Sequence, residues 1–239
     1  RNVPKGKDRI SDRAAERGRS EPALAFTSAA LRLPFIMGVA ESIKRLTETE
    51  YLELERAAEL KSEFFEGEMF AKSGGTPFHS LIATNLAAEF RDRLKSGPCI
   101  PYNGDLRIKI EATGLLTYPD LSVICGPLEF APGTNDTVVN PVVLAEVLSD
   151  STEASDRGKK FEHYRQIPSL REYLLVSQKE PRIEQFIRQE NNSWLLKEAF
   201  GLDSLLELPS LGVVIAFCEI FARVDFSPVQ IRPQVRPPL

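Results

Sequence analysis

The chain has 239 residues, of which 42% are hydrophobic and 27% are charged. This composition is typical of a globular protein and excludes collagenous, wholly disordered and disulfide-stapled chains. The longest apolar run, 211–218, is far shorter than the roughly 18 residues that a membrane-spanning helix needs. We therefore expect a protein that does not cross a membrane.

The charge is unevenly distributed along the chain, whose formal net charge is −4. Residues 1–36 carry a net charge of +4 and residues 227–239 carry +2, which leaves −10 for residues 37–226. Affinity for phosphate backbones comes largely from Lys and Arg side chains that displace counterions. Because residues 37–226 are so acidic, we expect them to bind polyanions poorly in general. A role with nucleic acid would need a local basic strip or a metal ion.

Composition also divides the chain into three parts. Residues 1–36 have no sustained periodicity and lack the apolar core of a secretory signal, so we expect a disordered leader or tag, with Met37 as a natural start. Residues 227–239 contain four prolines and are expected to form a disordered tail. The structured domain is predicted to cover residues 37–226.

The first elements of this domain are a helix and an extended segment. Thr47 and Glu50 are three residues apart, which is the spacing of a capping box, and they predict a helix that continues to Leu60. Residues 62–72 alternate around Gly67 and predict a strand.

A second helix is predicted by an apolar residue at every fourth position, because this spacing places all members on one face. These residues are Ile82, Leu86, Phe90 and Leu94. The strands predicted further along the chain are 105–110, 118–125, 141–148, 172–177, 182–188 and 193–198, with a long loop at 126–140 and a helix at 152–166. This order indicates a mixed α/β fold with a central sheet flanked by helices.

The three cysteines, Cys99, Cys125 and Cys218, are odd in number, widely spaced and set in apolar sequence. We therefore expect reduced core thiols in a cytosolic protein, with no CxxC pair for zinc or redox chemistry. The chain has only two histidines, which excludes a multi-histidine metal site. Any bound metal ion would have to be held by carboxylates.

Two acids stand in otherwise apolar strands, Asp120 and Glu146. An ionised carboxylate in a central strand is costly unless a cation or hydrogen bonds compensate for the lost solvation. Two such residues on neighbouring strands predict a shared cation. With the backbone carbonyl of Val147 and water molecules completing the set, these hard oxygen ligands suit Mg²⁺ or Mn²⁺ far better than zinc.

Several short segments form a specific combination: YPD at 118–120, AEVLS at 145–149, DRGKKFEHY at 156–164, EYLLV at 172–176, EFFEGE at 63–68 and PFHS at 77–80. Together they resemble the Uma family of proposed restriction endonucleases, which belongs to the PD-(D/E)XK nuclease superfamily. The resemblance covers nearly all of residues 45–222. It implies a restriction-endonuclease-like fold and metal-dependent hydrolysis of DNA phosphodiester bonds.

The resemblance also implies roles for individual residues. Asp120 and Glu146 would bind the metal ion, and a lysine beside them would orient water and stabilise the developing charge. The third position of the superfamily's E-x-K motif is Leu148 in this chain. The family pattern instead places the lysine on the following helix, where it matches Lys160, with Lys159 as the second choice.

Three further expectations accompany this assignment. Glu63 matches an upstream acid of the family and is a further candidate metal ligand. His79 and Lys159 are candidate contacts to the DNA substrate. Cleavage of both strands would normally need a homodimer.

Other interpretations of the same residues stay open at this point. Asp120 would equally suit a strand-end acid paired with Arg107, and Lys160 with Asp156 would form an ordinary i,i+4 ion pair on a solvated helix. His79, at the start of a helix, would also suit a simple exposed or packed position. At the level of function, the alternative is a catalytically inactive module of the same fold that binds nucleic acid or protein, which the acidic charge and the missing E-x-K lysine favour. A glycoside hydrolase, in which the two carboxylates act as acid and base, is the least favoured alternative.

Overall fold

The computed structural model describes residues 45–72 and 74–227. The predicted leader at 1–36 and all but the first residue of the predicted tail at 227–239 lie outside this range. Within it, no helix combines the length and the apolar character needed to cross a membrane.

The described residues form short strands and few helices. The helices are α1 (Glu48–Ala57), α2 (Pro77–Leu94), α3 (Glu153–Ser155), α4 (Phe161–Tyr164) and α5 (Phe217–Ile220), with a π-helical segment, Asp156–Lys160, between α3 and α4. The strands are β1 (Ser62–Phe65), β2 (Glu68–Ala71), β3 (Cys99–Asn103), β4 (Arg107–Ile110), β5 (Leu115–Thr117), β6 (Leu121–Cys125), β7 (Thr137–Val138), β8 (Val143–Leu148), β9 (Glu172–Ser177), β10 (Arg182–Arg188), β11 (Trp194–Phe200), β12 (Leu205–Leu208) and β13 (Val213–Ala216).

A six-stranded sheet with the order β11-β10-β9-β8-β6-β3 forms the centre of the fold. Strands β8 and β9 are parallel, and the other neighbours are antiparallel. Because side chains alternate between the two faces of a strand, Val143 and Ala145 of β8 pack with α2, whereas Leu144 and Leu148 belong to a second core on the opposite face. Glu146 shares this second face, which fixes the side of the sheet on which its carboxylate lies.

A five-stranded sheet with the order β2-β1-β5-β4-β7 contributes to the second core. Ile108 and Ile110 of β4 belong to the same buried cluster as Leu144 of the central sheet. Helix α1 packs on the five-stranded sheet, where the rings of Tyr51 and Phe64 stack with centroids 4.7 Å apart. The two sheets therefore share one core, and side chains from both reach the region around Glu146. Strands β12 and β13 form a separate hairpin.

Several predicted elements are confirmed. The capping box of Thr47 and Glu50 is present at the start of α1, although the helix ends at Ala57. The buried residues of α2 are the four that the apolar repeat predicted. The predicted strands 172–177 and 182–188 have the observed bounds of β9 and β10.

Other predicted elements differ in their bounds. The single strand predicted at 62–72 is the hairpin β1–β2, which turns at Glu66 and Gly67 with φ angles of 49° and 85°. Two consecutive positive φ angles are typical of a type I′ turn, whose twist matches that of the flanking strands. The strand predicted at 118–125 begins only at Leu121, and the loop predicted at 126–140 includes the two-residue strand β7.

The prediction of three reduced core thiols is wrong. Cys99 begins β3 and lies directly opposite Cys125 at the end of β6, and the two residues form a disulfide. Cys218 is exposed. Strand register, which cannot be read from spacing along the chain, brings Cys99 and Cys125 together. The expectation of a cytosolic location was based on unpaired thiols and therefore loses its support.

The packing of α2 on the central sheet generates a prediction about stability. Leu86 is fully buried in the core between α2 and β8. We expect Leu86→Ala to lower the free energy of unfolding by about 2–5 kcal/mol because it leaves a cavity. Leu54→Ala, on the exposed side of α1, should cost less than about 1 kcal/mol. Urea unfolding monitored by circular dichroism would measure both, and equal losses would contradict this assignment of the core.

Candidate active site

The pairing of β6 with β8 brings the two predicted metal-binding acids together. These strands are antiparallel neighbours in which Leu121 lies opposite Ala145. The same register places Asp120, which immediately precedes β6, across from Glu146. The carboxylate of Asp120 accepts a hydrogen bond of 2.8 Å from the backbone N–H of Val147. The two acids therefore lie side by side on neighbouring segments of the central sheet, as the sequence predicted.

Glu146 is only 3% exposed. Its Oε1 accepts hydrogen bonds from Lys160 Nζ at 3.2 Å and from the Tyr164 hydroxyl at 2.7 Å. Burial raises the pKa of Glu146 to about 7; the Lys160 ammonium opposes this rise, and the charges of Asp120 and Asp156 add to it. The negative charge of Glu146 is thus held where it is costly, so an additional cation nearby would stabilise it.

Lys160 is enclosed by carboxylates. Its Nζ lies 3.0 Å from Glu63 Oε1, 3.2 Å from Glu146 Oε1 and 3.3 Å from Asp156 Oδ1. Burial would lower the pKa of this lysine, but the three carboxylates outweigh burial and raise the pKa well above its usual value. Lys159, one residue earlier, is exposed. Of the two lysines that the sequence offered, only Lys160 reaches the acids.

The π-helical segment carries this lysine into the site. It spans Asp156–Lys160 and buries both of its terminal residues. Single π-helical turns of this kind often occur at functional sites. Leu148, which occupies the lysine position of the E-x-K motif, lies in the second hydrophobic core. The ammonium group therefore reaches Glu146 from the helix rather than from the strand.

Two further buried residues contact this cluster of Lys160 and its acids. The sequence paired Asp156 with Lys160, and that contact is present at 3.3 Å, but the expected solvated helix face is wrong because Asp156 is only 1% exposed. Tyr164 was not singled out, although its hydroxyl is bonded to Glu146. It lies four residues after Lys160, so both residues share one helix face, and this spacing was the available signal.

A different pair of basic side chains contacts Asp120. His79 Nε2 lies 3.2 Å from Oδ2, and Lys72 Nζ lies 3.4 Å from Oδ1. Burial would raise the pKa of Asp120, but the hydrogen bond with His79 and the charge of Lys72 outweigh burial and lower the pKa. The hydrogen bond with Asp120 in turn raises the pKa of His79. Arg107, the structural partner considered for Asp120, instead bonds to Asp136 at 3.1 Å.

Local backbone structure positions both of these groups. Lys72 directly follows β2, and its Nζ also donates to the carbonyl oxygen of Tyr118. His79 lies in the first turn of α2, where its N–H donates to the N-cap Thr76. A Cβ atom at Gly75 would lie 2.5 Å from His79 Nδ1, so a larger residue at this position would have to displace the imidazole ring. The sequence identified His79, but no motif or spacing marked Lys72.

These side chains line a single cavity of about 160 Å³. Its ionisable lining residues are the acids Glu63, Asp120, Glu146 and Asp156, the lysines Lys72 and Lys160, and His79. Carboxyl groups thus outnumber ammonium groups four to two. When all four are ionised and His79 is neutral, the cavity carries an excess of negative charge that attracts a cation.

The donor groups of the cavity fit a divalent cation bound by oxygen. Among residues 45–72 and 74–227, no group of three or more His, Cys, Asp or Glu side chains is arranged to hold a metal ion. Mg²⁺, however, is usually bound by one or two carboxylates and keeps several water molecules. Asp120 and Glu146 supply two carboxylates. The carbonyl of Val147 is directed to the same strand edge as its N–H, which bonds Asp120. Asp156 Oδ1 is buried and makes no hydrogen bond within the described residues, although it lies 3.3 Å from Lys160 Nζ.

Comparisons with known proteins agree with this architecture. Residues 49–217 match the Uma2 family model, whose description is "Putative restriction endonuclease". From Synechocystis sp. (strain ATCC 27184 / PCC 6803 / Kazusa), "Uncharacterized protein slr1290" is 37% identical over 182 residues, which are 76% of this chain and 94% of that protein. "Uncharacterized protein sll1609" from the same strain is 34% identical over 177 residues, which are 74% and 100%.

A solved structure also shares the fold. The crystal structure of "a putative nuclease belonging to DUF820" from Anabaena variabilis ATCC 29413 has a TM-score of 0.60 at 19% identity. It covers 72% of this chain and 96% of that chain. The predicted restriction-endonuclease-like core, a mixed sheet flanked by helices, is confirmed.

The raised pKa of Glu146 generates a prediction about pH. Between its ordinary pKa of 4.5 and about 7, the folded state binds a proton that the unfolded state releases, so this group destabilises the fold increasingly as pH rises through that window. Without metal, we expect Glu146→Gln to gain stability relative to wild type by about 1–3 kcal/mol between pH 5 and pH 8. Thermal unfolding of both proteins at the two pH values measures the difference. A difference that does not change with pH would contradict the raised pKa.

Proposed function

The chain belongs to the Uma2 family, and on that premise we propose that it is a DNA endonuclease that hydrolyses phosphodiester bonds with Mg²⁺ or Mn²⁺. The observation that supports this proposal best is the placement of Asp120 beside Glu146 at one cavity lined by four acids. Each of these acids has a defined set of partners, and neither is neutralised by a simple one-to-one ion pair.

In this proposal Asp120, Glu146 and the carbonyl of Val147 would hold the metal ion, with Glu63 as a further candidate ligand. Such an ion would lower the pKa of water and neutralise charge on the scissile phosphate. Hydrolysis forms a bond between the water oxygen and phosphorus and breaks one phosphorus–oxygen ester bond, while a proton passes from water to the leaving oxygen through solvent. The protein itself contributes fixed positions for these charges, which need no reorganisation during the reaction.

Lys160 is the lysine that the family pattern assigns to catalysis. Its ammonium group keeps Glu146, Glu63 and Asp156 together and offsets part of their negative charge. The Tyr164 hydroxyl fixes the same oxygen of Glu146 that Lys160 bonds. Lys160 and Tyr164 therefore orient the carboxylate, so that its remaining oxygen is available to a cation.

His79 has a narrower role in this scheme. Its Nε2 is engaged with Asp120, and the pKa of His79 is raised by that contact. An imidazolium in this position would orient the carboxylate of Asp120 before it contacts any substrate. We therefore propose that the main role of His79 is to orient Asp120, and that contact with the DNA is a secondary role. Lys159, which is exposed, is left as a peripheral DNA contact.

One observation supports the alternative function, an inactive module that binds nucleic acid or protein. Residues 37–226 carry a net charge of −10, which opposes general binding to a polyanion. An active nuclease would need the metal ion and the two cavity lysines to attract the phosphate locally. Cleavage of both strands would further need a homodimer with two such sites.

The first test of the proposal is Glu146→Gln, which removes a charge and hardly any volume. We expect metal-dependent nicking of supercoiled plasmid to fall by about 100-fold or more and Mg²⁺ binding measured by calorimetry to disappear. Glu172→Gln is a matched control, because Glu172 is buried on the adjacent strand β9 but does not line the cavity. Nicking by Glu146→Gln at the wild-type rate would reject this site. Wild-type protein that neither binds Mg²⁺ nor nicks DNA would favour the inactive module.

A second test compares the two adjacent lysines. Lys160→Ala leaves three carboxylates without their shared ammonium group, so we expect the nicking rate to fall by about 100-fold. Lys159→Ala removes an exposed side chain and should change the rate by less than about threefold. Initial nicking rates at saturating Mg²⁺ provide the comparison. Equal rates for the two variants would refute the assignment of Lys160.

A further inference from the structure

We propose that Lys72 is a second catalytic lysine, which donates a hydrogen bond to a non-bridging oxygen of the scissile phosphate. This inference rests on the proposed nuclease function. It is carried by the different environments of the two lysines that line the same cavity.

The ammonium group of Lys160 is surrounded by acids. Three carboxylate oxygens lie 3.0–3.3 Å from its Nζ, and one of them, Glu146 Oε1, accepts a hydrogen bond from it. The side chain is only 10% exposed. A phosphate oxygen could approach this group only by displacing a carboxylate, and the other two carboxylates would repel it. Lys160 is thus well placed to hold acids together and poorly placed to touch the phosphate.

The ammonium group of Lys72 has fewer partners. In the described part of the chain, its Nζ bonds the carbonyl oxygen of Tyr118 and lies 3.4 Å from Asp120 Oδ1. Two partners leave one of its three donors uncommitted. The side chain is 26% exposed, so this donor is accessible from the cavity. A single neighbouring carboxylate also repels an incoming phosphate less than three carboxylates would.

The position of Lys72 relative to Asp120 supports the same role. Val147 N–H and His79 both contact Oδ2 of Asp120, whereas Lys72 lies beside Oδ1. A phosphate bound next to Asp120 would therefore also be next to Lys72. The three residues Tyr118, Asp120 and Lys72 are tied together by the two contacts of the ammonium group, so its position does not depend on a substrate being present.

A competing explanation makes Lys72 a substitute for the metal ion. In that case its ammonium group would neutralise Asp120 only until a divalent cation replaced it. Removal of the lysine would then strengthen metal binding and leave the cleavage rate unchanged. The two roles are distinguishable because only the phosphate contact affects the rate at saturating metal concentration.

The experiment uses Lys72→Ala, Lys72→Arg and a matched control, Lys61→Ala. Lys61 resembles Lys72 because its Nζ also bonds one backbone carbonyl, that of Gly104 at 3.1 Å, and one carboxylate, that of Asp105. Lys61 does not line the cavity. Each variant is measured for Mg²⁺ affinity by calorimetry, for thermal stability, and for single-turnover nicking of supercoiled plasmid at saturating Mg²⁺.

We expect Lys72→Ala to lower the nicking rate by about 10- to 100-fold, with Mg²⁺ affinity and melting temperature equal to or above those of wild type. Lys72→Arg should recover part of the rate, and Lys61→Ala should match wild type. A wild-type rate in Lys72→Ala would overturn the role of Lys72 and leave the nuclease function intact. Parallel losses of metal affinity and stability would also overturn it, by showing a structural role. Wild-type protein that does not nick DNA would overturn the nuclease function and this role together.

Discussion

The burial of the Glu146 carboxylate is the constraint on which the rest of the site depends. A carboxylate that is 3% exposed in a central strand is tolerated only if fixed donors and nearby positive charge replace its lost water. Lys160 and Tyr164 supply these donors. Both residues lie in the helical segment that connects β8 to β9. The π-helical segment and the short helix α4 can thus be understood as the elements that deliver an ammonium group and a hydroxyl to one oxygen atom.

The two acids are supported by separate sets of groups. Glu146 is held by Lys160 from a helix, whereas Asp120 is held by His79 from the start of α2 and by Lys72 from the end of β2. Each carboxylate therefore has its own contacting groups, although Lys72 and Glu146 also interact across the cavity. In a domain that is acidic overall, such local organisation is what would allow a phosphate group to approach, since only the bound cation and the ammonium groups favour it.

Much of the fold could be predicted from the sequence where a pattern is local. The capping box at Thr47 and the four-residue repeat along α2 were read correctly, because both depend on contacts between residues close in the chain. Short strands such as β3 and β5 were missed, since their stability comes from neighbours far away in sequence. The disulfide between Cys99 and Cys125 has the same origin: the two residues are 26 positions apart, and only the register of β3 against β6 makes them neighbours.

The sequence alone marked Asp120 and Glu146 as unusual, because each is a charged residue next to an apolar segment, where an ionised carboxylate is costly unless a partner compensates for the lost solvation. The resemblance to the Uma family further gave Lys160 and Lys159 as the two candidates for a catalytic lysine. Only the tertiary structure decided that Lys160 is buried among three carboxylates, that Asp156 is not solvated, and that Lys72 lies beside Asp120. These outcomes depend on distances between elements that are remote along the chain. Local propensity carries no information about such distances, whereas the packing of two sheets and a helix around a buried charge sets them.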